Sequence, residues 1–251
     1  MKTLIKKALN RFGLDVVPYA SPEDSDLEAF PDLTDEERRI VAMVKPFTMT
    51  SIERIVCLMN AVSYITSNKI EGDIAECGVW RGGSMMTVAL TLLARGDTSR
   101  KLYLYDTFEG MSAPTEIDVN LDGMSAQSHI AKTTEKWCYA DIEDVRQNIL
   151  SSGYPEENIF LVKGKVEDTI PKTTPTNISL LRLDTDWYES TKHELIHLFP
   201  LLAPEGVLMI DDYGHWQGAR KAVDEYFAER NRKVYFHRID YTGRIAVGIN
   251  N

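Results

Sequence analysis

The chain has 251 residues, 43% of them hydrophobic, which is enough for one large α/β domain with its own core and at most a small appendage. With 38 acidic against 28 basic side chains its formal net charge is −10, so a broad nucleic-acid-binding face, which needs clustered Lys and Arg, is not expected. Cys57, Cys77 and Cys138 are odd in number and widely spaced, which argues against a disulfide framework or a zinc site and for a reducing, cytoplasmic setting.

The first predicted element is amphipathic. Leu4, Ile5, Ala8, Leu9 and Phe12 share one helical face, while Lys2, Lys6, Lys7 and Arg11 supply positive charge. Such a helix either packs on its own domain or lies on anionic lipid, so peripheral contact with the inner membrane face through residues 2–12 is one expectation. No apolar run approaches the roughly 20 residues that cross a bilayer. No small-residue cleavage site follows to mark a secretory signal. Pro18, Pro22 and Pro31 with scattered acids make Val16 to Pro31 an irregular linker. The chain thus divides into a helix and linker over 1–31 and a domain over 32–251.

Thr34 followed by Glu37 is a capping-box signal for a helix toward Val44, broken by Pro46. A second helix, Ser51 to Thr66, carries Ile52, Ile55, Val56, Met59 and Val62 at helical spacing. From Gly72 strand and helix alternate. Strands are predicted at Asp73–Cys77, Lys101–Phe108, Asn158–Lys163, Ile178–Leu183 and Val207–Ile210, with a closing antiparallel pair at Val234–Ile239 and Arg244–Ile249. Helices fall at Ser84–Arg95, Asp141–Ser152, Val166–Ile170, Thr191–Leu198 and Trp216–Arg230. The stretch Glu109–Trp137 shows no sustained periodicity, which is the signature of a lid or mobile insert. The pattern implies an α/β fold, a doubly wound, mostly parallel seven-stranded sheet with helices on both faces.

Two apolar strands end in acids: LLRLDTDWY gives Asp184 and Asp186, and GVLMIDDYG gives Asp211 and Asp212. In an open α/β sheet the ligand crevice lies at the carboxyl ends of the strands. Like charges gathered there repel, so a divalent cation is the simplest reason for them. The opposing expectation is that one acid pairs with a base such as Arg182 or Arg220 and no metal binds. For Asp186 alone, capping of the following helix is the alternative.

The turn after the first strand, Glu76-Cys-Gly78-Val-Trp80-Arg-Gly82-Gly83-Ser84, lets backbone approach a ligand at a helix N-terminus. It lacks the Lys-Ser/Thr of a Walker loop and the Gly-x-Gly-x-x-Gly spacing of a nicotinamide site. The acid-x-Gly opening fits an S-adenosylmethionine turn, with Glu76 toward the methionine amino group and Asp106, at the tip of the second strand, toward ribose hydroxyls.

GDIAECGVWRGGS, LYDTFEGM, LRLDTDWYEST and IDDYGHWQGARKAVDEY together closely resemble the macrocin O-methyltransferase family, over about Pro46 to Asn251. The resemblance implies a class I methyltransferase, a Rossmann-like fold with an antiparallel last strand, that methylates sugar hydroxyls of glycosylated products. Carried over by position, it implies a cofactor turn of Glu76, Gly78, Trp80, Gly82 and Ser84, with Asp106, Thr107, Phe108 and Gly110 around the ribose. Asp168, in the Gly164–Asp168 segment, would lie near the adenine, and Thr50 would close over the methionine end. Asp184, Asp211 and Asp212 would hold Mg2+, with Asp186 as general base. His215, beside Asp212, has no counterpart in the pattern and is a rival base or a substrate contact.

The expected partners are a small-molecule or glycan acceptor and a second copy of the chain, with no nucleic acid. Two other readings stay open: a methyltransferase for a catechol-like diol, and a catalytically silent cofactor-binding module.

Overall fold

The computed structural model describes residue 27, residues 29–132 and residues 136–249. The predicted amphipathic helix over residues 2–12, and most of the linker, lie outside the described residues. Residues 39–251 form one compact unit. Helix α1 (Asp35–Val44) starts at the anticipated capping box: the Thr34 amide donates to Glu37 Oε2 at 2.8 Å and the Glu37 amide to Thr34 Oγ1 at 3.3 Å.

Helix α2 (Ile52–Ser67) begins where the Ser51 side chain caps the Arg54 amide. Strand β1 (Asp73–Cys77) and helix α3 (Gly83–Ala94) flank the glycine turn. Then come β2 (Leu102–Asp106), a short helix α4 (Ala126–Ile130), α5 (Ile142–Leu150), β3 (Ile159–Lys163) and a single helical turn α6 (Val166–Thr169). The chain continues through β4 (Ile178–Leu183), α7 (Tyr188–His197), β5 (Leu202–Ile210), α8 (Gln217–Glu229), β6 (His237–Arg238) and β7 (Arg244–Val247).

The seven strands form one sheet in the order β3-β2-β1-β4-β5-β7-β6, parallel through β5, with β7 inserted antiparallel between β5 and β6. The doubly wound sheet and its antiparallel last strand are as the sequence predicts. The closing pair is shorter than predicted, because β6 lies at the sheet edge with both residues exposed and pairs only over His237 and Arg238.

Side chains alternate across the sheet. Ala75, Leu181, Leu183, Leu208 and Ile210 face α7 and α8, packing with Leu195, Phe199, Tyr226 and Phe227. Each such fully buried aliphatic side chain is worth about 1.5–3 kcal/mol. The alternate set, Ile74, Leu180 and Met209, is equally buried on the side where α2 meets β4 and β5. Glu76, Arg182 and Asp211 belong to that second set by register, so charge enters the core at the carboxyl end of the sheet.

Among the described residues of the Glu109–Trp137 stretch, regular structure is limited to α4 and two isolated bridges, Val119–Ser125 and Asn120–Trp216. Among the described residues no helix is long and apolar enough to cross a membrane.

Candidate active site

A cleft of about 340 Å³ opens at the carboxyl ends of β1, β2, β4 and β5. One end is the glycine turn. Gly78, with φ +83°, tucks against the Asp184 carbonyl, where any Cβ would collide. The Gly78 amide donates to Tyr105 O at 2.9 Å and the Asp184 amide to Cys77 O at 2.8 Å, which stitches the ends of β1, β2 and β4 together.

Asp106 orders the turn. Its Oδ2 accepts from the amides of Val79 (2.7 Å) and Trp80 (3.1 Å), and its Oδ1 from the Phe108 amide (2.7 Å). These bonds hold Trp80 and Phe108 at positive φ, +47° and +52°. Thr107 Oγ1 donates to Gly110 O at 2.6 Å. Gly82 caps α3 in the left-handed region, and Ser84 faces the cleft from the first turn of that helix. Thr50 lines the cleft above, its hydroxyl 3.0 Å from that of Thr48.

Glu76, only 1% exposed, accepts from Arg182 at Oε1, while Oε2 has no partner among the described residues. Burial pushes its carboxyl up to about 7.

The other end is acidic. Asp184, Asp186 and Asp212 each offer a carboxylate oxygen within 4.8 Å of the others. Burial, followed by the neighbouring acids, drives Asp212 well above the usual carboxylate range, and its Oδ2 is buried without a partner. Asp184 is likewise raised by burial, against the opposing pull of Arg182. Asp186, at φ +67° on the turn leaving β4, is pushed up to about 7 by burial.

Asp211 does not join this group. Its oxygens go to Arg54 and Arg182, because adjacent residues leaving β5 point to opposite faces and Asp211 falls on the α2 side. The pairing of acids with Arg182 is therefore present, for Asp184 at 2.6 Å as well as for Asp211, yet Asp184, Asp186 and Asp212 still converge. Arg220 pairs instead with Asp224 at 3.6 Å, on the surface.

An aromatic wall stands beside the acids. Trp187 and Trp216 are buried edge to face with centroids 5.1 Å apart, and Trp137 of the insert lies 6.0 Å from Trp187. Trp137, Trp216, His129 and Met111 line the cleft. His215 also lines it, with Nδ1 3.3 Å from the Tyr241 hydroxyl, and burial holds its imidazole below the ordinary range, so it is neutral near pH 7.

Of the other anticipated residues, Thr107 and Gly110 line the cleft, while Glu76, Gly82 and Phe108 stand behind its wall. Asp168 is exposed and off the wall. One helical step of α6 turns it away and leaves Gly164, Lys165, Val166 and Glu167 facing the cleft. The sequence reading missed Arg54, Trp137 and Asp118. By helical spacing Arg54 falls on the side of α2 away from the predicted apolar residues, so the sequence carried no signal for it.

Residues 16–246 match the family described as macrocin-O-methyltransferase (TylF). The chain is 32% identical over 242 residues to the 8-demethyl-8-(2,3-dimethoxy-alpha-L-rhamnosyl)-tetracenomycin-C 4'-O-methyltransferase of Streptomyces olivaceus, covering 96% of this chain and 89% of that one. It is 31% identical over 183 residues to the demethyldecarbamoylnovobiocin O-methyltransferase of Streptomyces niveus, covering 72% and 68%. Among solved structures, the O-methyltransferase NovP superposes with a TM-score of 0.71 at 29% identity over 80% of this chain and 81% of that one. The chain belongs to the macrocin-O-methyltransferase family, whose members are S-adenosylmethionine-dependent O-methyltransferases.

Proposed function

We propose that this chain transfers the methyl group of S-adenosylmethionine to a sugar hydroxyl of a glycosylated product or polysaccharide, with magnesium at the acidic end of the cleft. The observation that carries the reading is the meeting of three carboxylates, with the orphaned Asp212 Oδ2 among them, in the same cleft as the glycine turn. The sugar hydroxyl follows from the rhamnosyl-tetracenomycin and novobiocin methyltransferases, as their names describe them.

The residues fit a hard divalent cation. The donor set is all oxygen, which suits magnesium, and a buried carboxylate oxygen without a donor asks for positive charge. Asp184 and Asp212 would hold the ion, and Asp211 would need to leave one of its two arginines to join them. When bound, the cation supplies charge that lowers the pKa of an adjacent acceptor hydroxyl.

The cofactor end fits too. Glu76 Oε2, just behind the cleft wall, is a buried acceptor without a partner among the described residues, and a methionine ammonium would supply the donor it lacks. Val79, Trp80 and Ser84 line that end, where the first turn of α3 presents free amides.

Asp186 would accept the hydroxyl proton: it lines the cleft beside Asp184 and Asp212, on a turn that aims it away from the strand. The wall of Trp137 and Trp216 narrows the acceptor side and excludes water from the line between donor methyl and nucleophile.

The test is methyl transfer from labelled S-adenosylmethionine to a panel of glycosides, free sugars and catechols, with magnesium and after EDTA. Glycoside methylation that EDTA removes and magnesium restores is the expected result. Transfer to catechols alone overturns the sugar assignment, and full rates in EDTA overturn the metal.

A further inference from the structure

We infer that Arg182 is a positioning residue that couples cofactor binding to cation binding. One guanidinium joins the two halves of the site. Its Nη1 donates both to Glu76 Oε1, on the cofactor side, and to Asp184 Oδ2 at 2.6 Å, on the acidic side. Its Nη2 donates to Asp211 Oδ1. Arg182 is 3% exposed, one residue before the carboxyl end of the central strand β4, directly across from Glu76 in the β1–β4 register. The inference rests on the proposed function, because it presumes the cofactor at the Glu76 end and the cation at the Asp184 end.

A charge buried this deeply is retained only where every partner is fixed, since each lone group left behind carries a desolvation cost. Arginine suits the task because its rigid fork ties three carboxylates at set angles, which a lysine ammonium does not. The consequence is directional. When a cation fixes Asp184, it fixes the guanidinium nitrogen that Asp184 shares with Glu76. Glu76 Oε1 is then held, which fixes the carboxylate whose buried Oε2 has no partner among the described residues. Ordering is met once and shared by the two ligands, so each binds tighter in the presence of the other. Linkage makes the factor identical in both directions. Arg54, which holds the second oxygen of Asp211, lies outside this bridge because it touches neither Glu76 nor Asp184.

The experiment is calorimetric titration of S-adenosylhomocysteine into the intact protein, without and with saturating magnesium, and of manganese with and without S-adenosylhomocysteine. In the unaltered protein the cation is expected to tighten S-adenosylhomocysteine binding by about 5-fold or more, within the range of ordinary site-to-site coupling. In Arg182→Lys that factor falls toward one, while circular dichroism shows the fold intact. Glu76→Gln, which leaves Arg182 with both aspartates, serves should the lysine variant fail to fold: its coupling is also lost while manganese binding alone is kept. A factor of one in the unaltered protein, or undiminished coupling in both variants, overturns the inference. These titrations need no acceptor. If both ligands bind cooperatively yet no glycoside is methylated, the proposed function fails while the coupling stands.

Discussion

The backbone amide of Tyr188 donates to Asp118 Oδ1 at 2.9 Å, which ties the insert between β2 and α5 to the first residue of α7. Asp118 is fully buried, and its Oδ2 takes the Thr115 amide at 2.7 Å and the Thr115 hydroxyl at 2.9 Å. Gly218 gives it room, because a Cβ there would collide with Oδ1. One carboxylate thus closes the insert on itself and docks it beside the Asp184–Asp186 turn. Asp118→Ala leaves three donors without their acceptor, and a deletion of this kind is expected to cost about 1–3 kcal/mol. Urea unfolding should show that loss. Because the insert carries Met111, His129 and Trp137 to the cleft, the acceptor KM should rise while S-adenosylhomocysteine affinity stays within about 2-fold. An unchanged KM would show that the insert does not shape the acceptor end.

Asp186→Asn keeps shape and hydrogen bonding but removes the group that takes the proton. If Asp186 is the base, kcat falls by about 10²–10⁴-fold, the usual worth of general-base catalysis, and cofactor affinity is retained. Single-turnover kinetics with equilibrium S-adenosylhomocysteine binding on the same preparation separates the two. His215→Asn is the control. Its imidazole faces Tyr241 rather than the acid trio, so that variant should keep kcat within about 10-fold. A reversal of these two outcomes would assign the base to His215.

The strands and the acids at their carboxyl ends are legible in the sequence because each depends on local pattern. Ile178–Leu183 and Val207–Ile210 are continuous apolar runs, and the residues that end them emerge where ligands bind in such sheets. The orientation of those acids is not local. Asp211 and Asp212 are neighbours in sequence and both border the cleft, yet one is held by Arg54 on α2 and the other meets Asp184 and Asp186, a division set by strand pleat and by a helix some 150 residues earlier. Arg182 carried a visible signal as a lone charge in an apolar strand, which must be paired if buried. The seat of the insert left almost none, since Asp118 meets Tyr188 and Trp137 meets Trp216 across long separations without periodicity.

Asp240 supplies a pH-dependent element of stability outside the acid trio. It lies on the turn between β6 and β7, 11% exposed, 2.9 Å from Arg54 Nε, and accepts from the Ser51 hydroxyl at 2.8 Å and the Gly243 amide at 2.6 Å. Burial works to raise its carboxyl, but the Gly243 amide, the Ser51 hydroxyl, the Arg54 guanidinium and the Thr242 amide together hold it below the ordinary value. A depressed folded pKa means that the unfolded chain takes up the proton first as the solution is acidified. The stabilisation is therefore complete above the ordinary aspartate pKa of about 3.9 and is lost as the pH falls through the lower folded value. Asp184 and Asp212, whose carboxyls are raised, contribute with the opposite sign, so the comparison that isolates Asp240 is the difference between the unaltered protein and Asp240→Asn. Urea midpoints should favour the unaltered protein at pH 6, and the gap should close as the pH is lowered from about 4 toward 2. A gap that stays constant over that interval would mean that Asp240 stabilises through shape and hydrogen bonding rather than through its charge.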